Sequence, residues 1–143
     1  MAEIQTSTWS ETANNNNAAP PDGCPEGQSY ASLNNCIREI MAVIKRWWNR
    51  EHATVVATGT ADAMVLTYTT SPGSLTSGMF FRFYSPNSAN TVTNPTLNVN
   101  GIGAKTIFKR DGLTALAAGD IVALTIYEVT YDGTAFRIHQ TGK

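Results

Sequence analysis

Met79-Phe80-Phe81-Arg82-Phe83-Tyr84 is the stretch whose reading decides the fold. It packs four aromatic rings and one charge into six residues, a composition that suits a pleated strand better than a helix. Side chains alternate along a strand, so Phe81 and Phe83 share one face while Phe80, Arg82 and Tyr84 share the other. Rings on both faces predict a strand covered on both sides except where Arg82 points. Such a strand lies either inside a sandwich or between subunits.

The same pattern continues outward from this run. Upstream, Val55-Val56-Ala57-Thr58 and Ala63 to Thr69 are β-branched or apolar runs, separated by the turn clusters Gly59-Thr60-Ala61-Asp62 and Ser71-Pro72-Gly73-Ser74. Downstream, Thr96 to Asn100 and Ala104 to Lys109 flank Gly101-Ile102-Gly103 and predict a hairpin. Ile121 to Tyr131 predicts one long strand, closed by a two-residue turn at Asp132-Gly133, with Ala135 to His139 returning. Seven or eight short strands predict a small antiparallel β-sandwich or jelly-roll-like domain over residues 52–143. A domain of roughly ninety residues can hold a core without disulfides.

Before the strands the period changes. Leu33, Ile37, Ile40, Ile44 and Trp47 recur at spacings of four, three, four and three, which predicts an amphipathic helix over residues 32–51. Ser32 and Ser29 are both candidate N-caps. Cys36, Met41, Val43 and Trp48 widen the apolar stripe, and Arg38, Glu39, Lys45, Arg46 and Asn49 occupy the opposite face. Lys45, Arg46 and Arg50 sit near the C-terminal end, where the helix dipole favours positive charge. The stripe has two possible uses: it packs on the chain's own β-domain, or it oligomerises copies of the chain. Isoleucine at both seam positions favours three strands in the second case.

Residues 1–31 have neither period. Asn14 to Gly23 is rich in Asn, Pro and Gly, and Pro20, Pro21 and Pro25 rule out a continuous helix. The expectation is an extended arm that needs a partner surface. Trp9 is the only aromatic residue among the first twenty-five, and a Trp in a polar arm is suited to anchoring because it buries much area for little rotamer entropy.

Several function classes are disfavoured. A net charge of -1 with only 15% charged residues argues against a polybasic nucleic-acid binder. No apolar run reaches the roughly 18–20 residues that span a bilayer, and Met1 to Ser10 lack the basic and apolar regions of a secretory signal. Cys24 and Cys36 have no CxxC spacing and no paired histidines, so two free thiols are expected rather than a metal site. His52 and His139 are isolated, no GxSxG elbow occurs, and the aspartates of Asp111-Gly112 and Asp132-Gly133 read as turn residues. Neither a catalytic site nor a cofactor or metal is expected. A glycan platform would require some of Tyr68, Phe81, Phe83, Tyr84, Tyr127, Tyr131 and Phe136 to face outward.

Trp9 to Gly23, then Pro25-Glu26-Gly27, then Asn34 to Trp48 with its Lys45-Arg46-Trp47-Trp48-Asn49 ending, resembles the N-terminal segment of bacteriophage and prophage tail-fibre proteins. Gly59 to Ala63, Thr96 to Gly101, Ala118 to Val122 and Tyr131 to Thr134 resemble the short β-domain that often follows it. Cys24, where a bulky apolar residue is usual, and Gln28-Ser29-Tyr30-Ala31 depart from that pattern. The resemblance implies a virion structural protein made in the bacterial host cytoplasm. Its arm, with Trp9, Pro20 and Pro21, would dock on other tail or baseplate proteins, and its copies would form a homotrimer. Because the sequence stops at Lys143, soon after one β-domain, a short fibre or a tail adaptor or connector is the expected form. The alternatives are a module binding a host receptor or surface glycan, and a capsid decoration or head-fibre protein.

Overall fold

The alternation that predicts strands also decides where each strand puts its apolar side chains. The computed structural model describes residues 15–18 and 23–140, and Trp9, Pro20 and Pro21 lie outside them. The chain divides into two compact units, Met1–Trp48 and Asn49–Lys143. Seven strands are described in the second unit: β1 (Thr58–Thr60), β2 (Ala63–Leu66), β3 (Phe80–Tyr84), β4 (Thr96–Val99), β5 (Lys105–Phe108), β6 (Ile126–Tyr131) and β7 (Phe136–Ile138). With the helix α1 (Tyr30–Glu51), the described chain is mainly β.

The strands form one hydrogen-bonded order, β1-β2-β4-β5-β7-β6-β3. An all-antiparallel sheet was expected, but the sheet is mixed: β2/β4 and β5/β7 are parallel, and the other four pairs are antiparallel. The reason is connectivity. The chain leaves β2 for β3 at the far end of the order before returning as β4, and it leaves β5 for β6 before returning as β7. Each return beside an earlier strand runs in the same direction, which only a crossover permits. The two ends of the order also meet. Val56, just before β1, bridges to Tyr84 at the end of β3, with Ala57 N–H donating to Tyr84 O at 2.8 Å and Tyr84 N–H to Val55 O at 3.0 Å. The sheet is therefore curled until its edges touch, which protects edges that would otherwise invite aggregation.

One core fills the curl. Met64 and Leu66, Leu97 and Val99, Ile107, Phe136 and Ile138, Tyr127 and Val129, and Phe81 and Phe83 all point into it, two positions apart on their strands. Phe81 lies edge-on to Phe136 at 6.0 Å between centroids, a favourable aromatic geometry. Burial of β3 on both faces inside the chain's own sandwich is corrected: Phe80 is half-buried and Tyr84 is exposed, so the chain itself buries only one face.

Two local expectations also change. The long strand from Ile121 shrinks to β6, because the irregular segment Ser85 to Asn90 rather than a neighbouring strand holds residues 121–125, through side chains as well as backbone bonds such as Ser85 N–H to Thr125 O at 2.9 Å. Asn90 Oδ1 accepts Ile121 N–H at 2.8 Å, Tyr127 Oη accepts Val122 N–H at 2.7 Å, and Ser85 Oγ accepts Thr125 N–H at 3.0 Å. Leu124 adopts φ 52°, which no extended strand allows. At the β6–β7 hairpin Tyr131 pairs with Phe136 and Asp132 N–H donates to Ala135 O at 3.0 Å, so the tight turn is Gly133-Thr134, one residue later than expected. Asp132 Oδ1 accepts Thr134 and Ala135 N–H, both at 2.8 Å, which stabilises the turn, and Gly133 supplies its positive φ of 104°. The hairpin around Gly101-Ile102-Gly103 is found as expected. There Asn100 reaches across to pair its amide with the Tyr68 backbone, at 2.8 and 3.2 Å.

In the first unit α1 begins two residues earlier than expected, at Tyr30. Ser29 is the N-cap: its Oγ accepts Ser32 N–H at 3.3 Å, and its carbonyl accepts the first helical bond from Leu33 N–H at 2.9 Å. In the second unit the helix stops where Ala53 turns left-handed at φ 47°, and Thr54 Oγ1 donates to Asn49 O at 2.7 Å. Among the described residues no helix is long and apolar enough to cross a membrane.

Candidate functional site

Written as a heptad, Ile37 and Ile44 occupy position a, and Leu33, Ile40 and Trp47 occupy position d. Met41 and Trp48 fall at the e flank and Cys36 and Val43 at the g flank. The two flanks differ. Val43 is completely buried and Cys36 nearly so, with Cys36 Sγ 3.4 Å from Gly23 O and 3.6 Å from the Gln28 amide. The chain running into the helix therefore covers the Cys36 end of the g flank. Ile37 and Ile44 are each 49% exposed, and Leu33, Ile40, Met41 and Trp48 are exposed as well. Trp47 is half-buried. The structure thus brings Leu33, Ile37, Ile40 and Ile44 together as one open apolar strip, and the strip extends toward the e flank.

A second apolar group lies in the β unit and was not anticipated. Val56 bridges to Tyr84, and Tyr84 pairs with Ile126 across β3 and β6, so three exposed side chains stand side by side on the outer face. Leu124, two residues before Ile126, is exposed despite its left-handed backbone. Sequence reading missed this patch because Ile126 was placed in mid-strand and Tyr84 under cover. The only signal was the outward parity that Tyr84 shares with Arg82.

Beyond the patch the outer face is polar and internally paired. Arg82 pairs with Glu128, and Arg137 pairs with Asp132 while its guanidinium lies 5.3 Å over the Phe108 ring. His139 Nε2 is 2.8 Å from Thr130 Oγ1, and its ring stands edge-on to Phe80. Of the seven aromatics considered for glycan stacking, Tyr84 alone is exposed; the other six are buried. Burial pushes the Tyr68 phenol up, with the Arg50 guanidinium opposing.

The aspartates act on backbone, as their turn positions predict. Asp62 accepts from the Thr91 hydroxyl and from the Thr91 and Val92 N–H groups, and these bonds lower its pKa. Asp111 is drawn down to about 2 by the Thr114 hydroxyl, then by the Thr114 and Leu113 N–H groups. Asp132 is lowered chiefly by Ala135 N–H. Among the described residues no group of three or more His, Cys, Asp and Glu side chains is placed to hold a metal ion.

No protein-family model matches the chain, and no curated protein matches it significantly.

Proposed function

We propose that the chain is a structural subunit of a bacteriophage virion, a short tail fibre or a tail adaptor or connector. In this reading residues 1 to about 31, with Trp9, Pro20 and Pro21, dock on other tail or baseplate proteins. The helix then joins three copies. The observation that carries the reading is the open strip of Leu33, Ile37, Ile40 and Ile44. A half-exposed isoleucine that becomes buried contributes about 1 kcal/mol, and three helices bury the strip three times over. Isoleucine at both a and d favours the three-stranded form. The patch of Val56, Tyr84 and Ile126 supplies a second contact between copies, through their β-domains. The curled sheet serves as a sandwich-like module, with β1-β2-β4 and β5-β7-β6-β3 closing over the shared core.

The glycan-binding alternative draws less support, because the aromatics that would form a platform are buried apart from Tyr84. Attachment to the capsid would use the same arm and the same module.

Particles assembled with a tagged chain test the proposal. The full chain is expected to co-band with particles, whereas a chain lacking residues 1–27 remains soluble and is lost from them. Trp9→Ala is expected to weaken incorporation, since truncating an interface anchor costs about 2 kcal/mol or more. Normal occupancy by the shortened chain would refute docking through the arm.

A further inference from the structure

We propose that Cys24 and Cys36 are a reversible disulfide pair that fastens the segment preceding α1 to the helix flank. Three features place the two residues together. Cys36 Sγ lies 3.4 Å from Gly23 O, the carbonyl joined to the Cys24 nitrogen. Cys24 N–H donates to Asn16 O at 2.9 Å, which fixes the backbone on its other side. Gln28, four residues after Cys24, brings its amide to 3.6 Å from Cys36 Sγ, so the chain on both sides of Cys24 lies against the helix flank. The neighbouring Cys36 thiol, followed by burial, raises the Cys24 pKa. Both are free thiols in the structure. In this proposal the two sulfurs close to the bonded S–S separation of about 2.05 Å while Cys24 stays beside the helix flank.

The two sulfurs are not equally accessible, and this sets the order of events. Cys24 is partly exposed and Cys36 is buried, so Cys24 meets an external disulfide first. Its thiolate attacks a sulfur of glutathione disulfide, forming a mixed disulfide and releasing one glutathione thiolate. The Cys36 thiolate then attacks the Cys24 sulfur and expels the second glutathione thiolate. Two protein thiols lose two protons and two electrons, and one glutathione disulfide becomes two thiols. Because the Cys24 pKa is raised, its thiolate is scarce near neutrality and the first step accelerates with pH. The product closes a short loop that includes Gln28 and the Ser29 cap, so it restrains the unfolded chain and holds the start of the helix. Both sulfurs belong to one chain, so the inference stands apart from the assembly reading.

The test uses the full, reduced chain. It is equilibrated with glutathione disulfide at mildly alkaline pH, quenched with acid, alkylated in denaturant, and analysed by intact mass and peptide mapping. The expected product has lost about 2 Da, resists alkylation at both cysteines, maps as a Cys24–Cys36 link within one chain, and reverts on addition of dithiothreitol. Cys36→Ser should stop at the glutathione adduct on Cys24. Three results would overturn the proposal: wild type stopping at that same adduct, cross-links between chains only, or both cysteines remaining open to alkylation.

Discussion

In the β unit Phe81, Phe83, Leu97, Ile107 and Phe136 are sealed inside a curled sheet, whereas on α1 Ile37 and Ile44 stand half in water. The two regions have comparable apolar side chains and use them differently. The sheet satisfies its own periodicity, since β2, β3, β4, β6 and β7 turn alternate residues into a shared core, β5 adds Ile107, and the Val56–Tyr84 bridge closes the last edge. The helix satisfies only part of its own. Its g flank is buried at Cys36 and Val43, while Leu33, Ile37, Ile40 and Ile44 at its a and d positions are exposed. The β unit thus buries its own apolar face, and under the proposed assembly the helix face is covered by other copies.

Substitutions in the two regions should therefore fail in different ways. Phe81→Ala empties a filled core position and is expected to cost about 3–5 kcal/mol in urea denaturation, with the mass of the folded material unchanged. A smaller loss is expected from Asn90→Ala. Asn90 Nδ2 donates to Val92 O and Ala117 O at 2.8 and 2.9 Å, and Oδ1 accepts Ile121 N–H. Truncation strands a buried donor and two carbonyls, for about 2–3 kcal/mol by the same measurement. If Asn90→Ala instead dissociated the subunits at unchanged stability, the division between the regions would be misplaced.

Acid should act more gently, and on the β unit. Asp62, Asp111 and Asp132 have folded-state pKa values below the ordinary aspartate value. Their contribution is therefore present above about pH 4 and is lost as the pH falls toward about 2, where Asp111 takes up its proton. The melting temperature should decline across that interval, and Asp62→Asn should shallow the decline. A melting temperature that rises there would contradict the assigned bonds.

Much of the β unit was legible in the sequence because alternation is a local property. Phe81 and Phe83 were placed on one face and Phe80 and Tyr84 on the other from parity alone, and the structure has them so. Strand order was not legible. Nothing local says that the chain after Leu66 crosses to the far end of the sheet before returning beside β2. Residues 121–125 were misread for a related reason. Their β-branched character is real, but Asn90 and Ser85, more than thirty residues away, supply the hydrogen bonds that a ladder would have supplied. The helix stripe could be read at once, but its exposure could not, because periodicity identifies an apolar face without naming its cover. The approach of Gly23 O to Cys36 Sγ had no sequence signal, since Gly23 sits where no period runs.

The claim that the open strip is a subunit interface meets its most direct test in the molar mass of the protein in solution. Light scattering at micromolar concentration should give three chains for wild type. Ile40→Lys places a charge on the three-fold seam in every copy, so it should give one chain with the β unit still folded by circular dichroism. A wild-type mass of one chain, with Ile40→Lys changing only the melting temperature, would contradict the account.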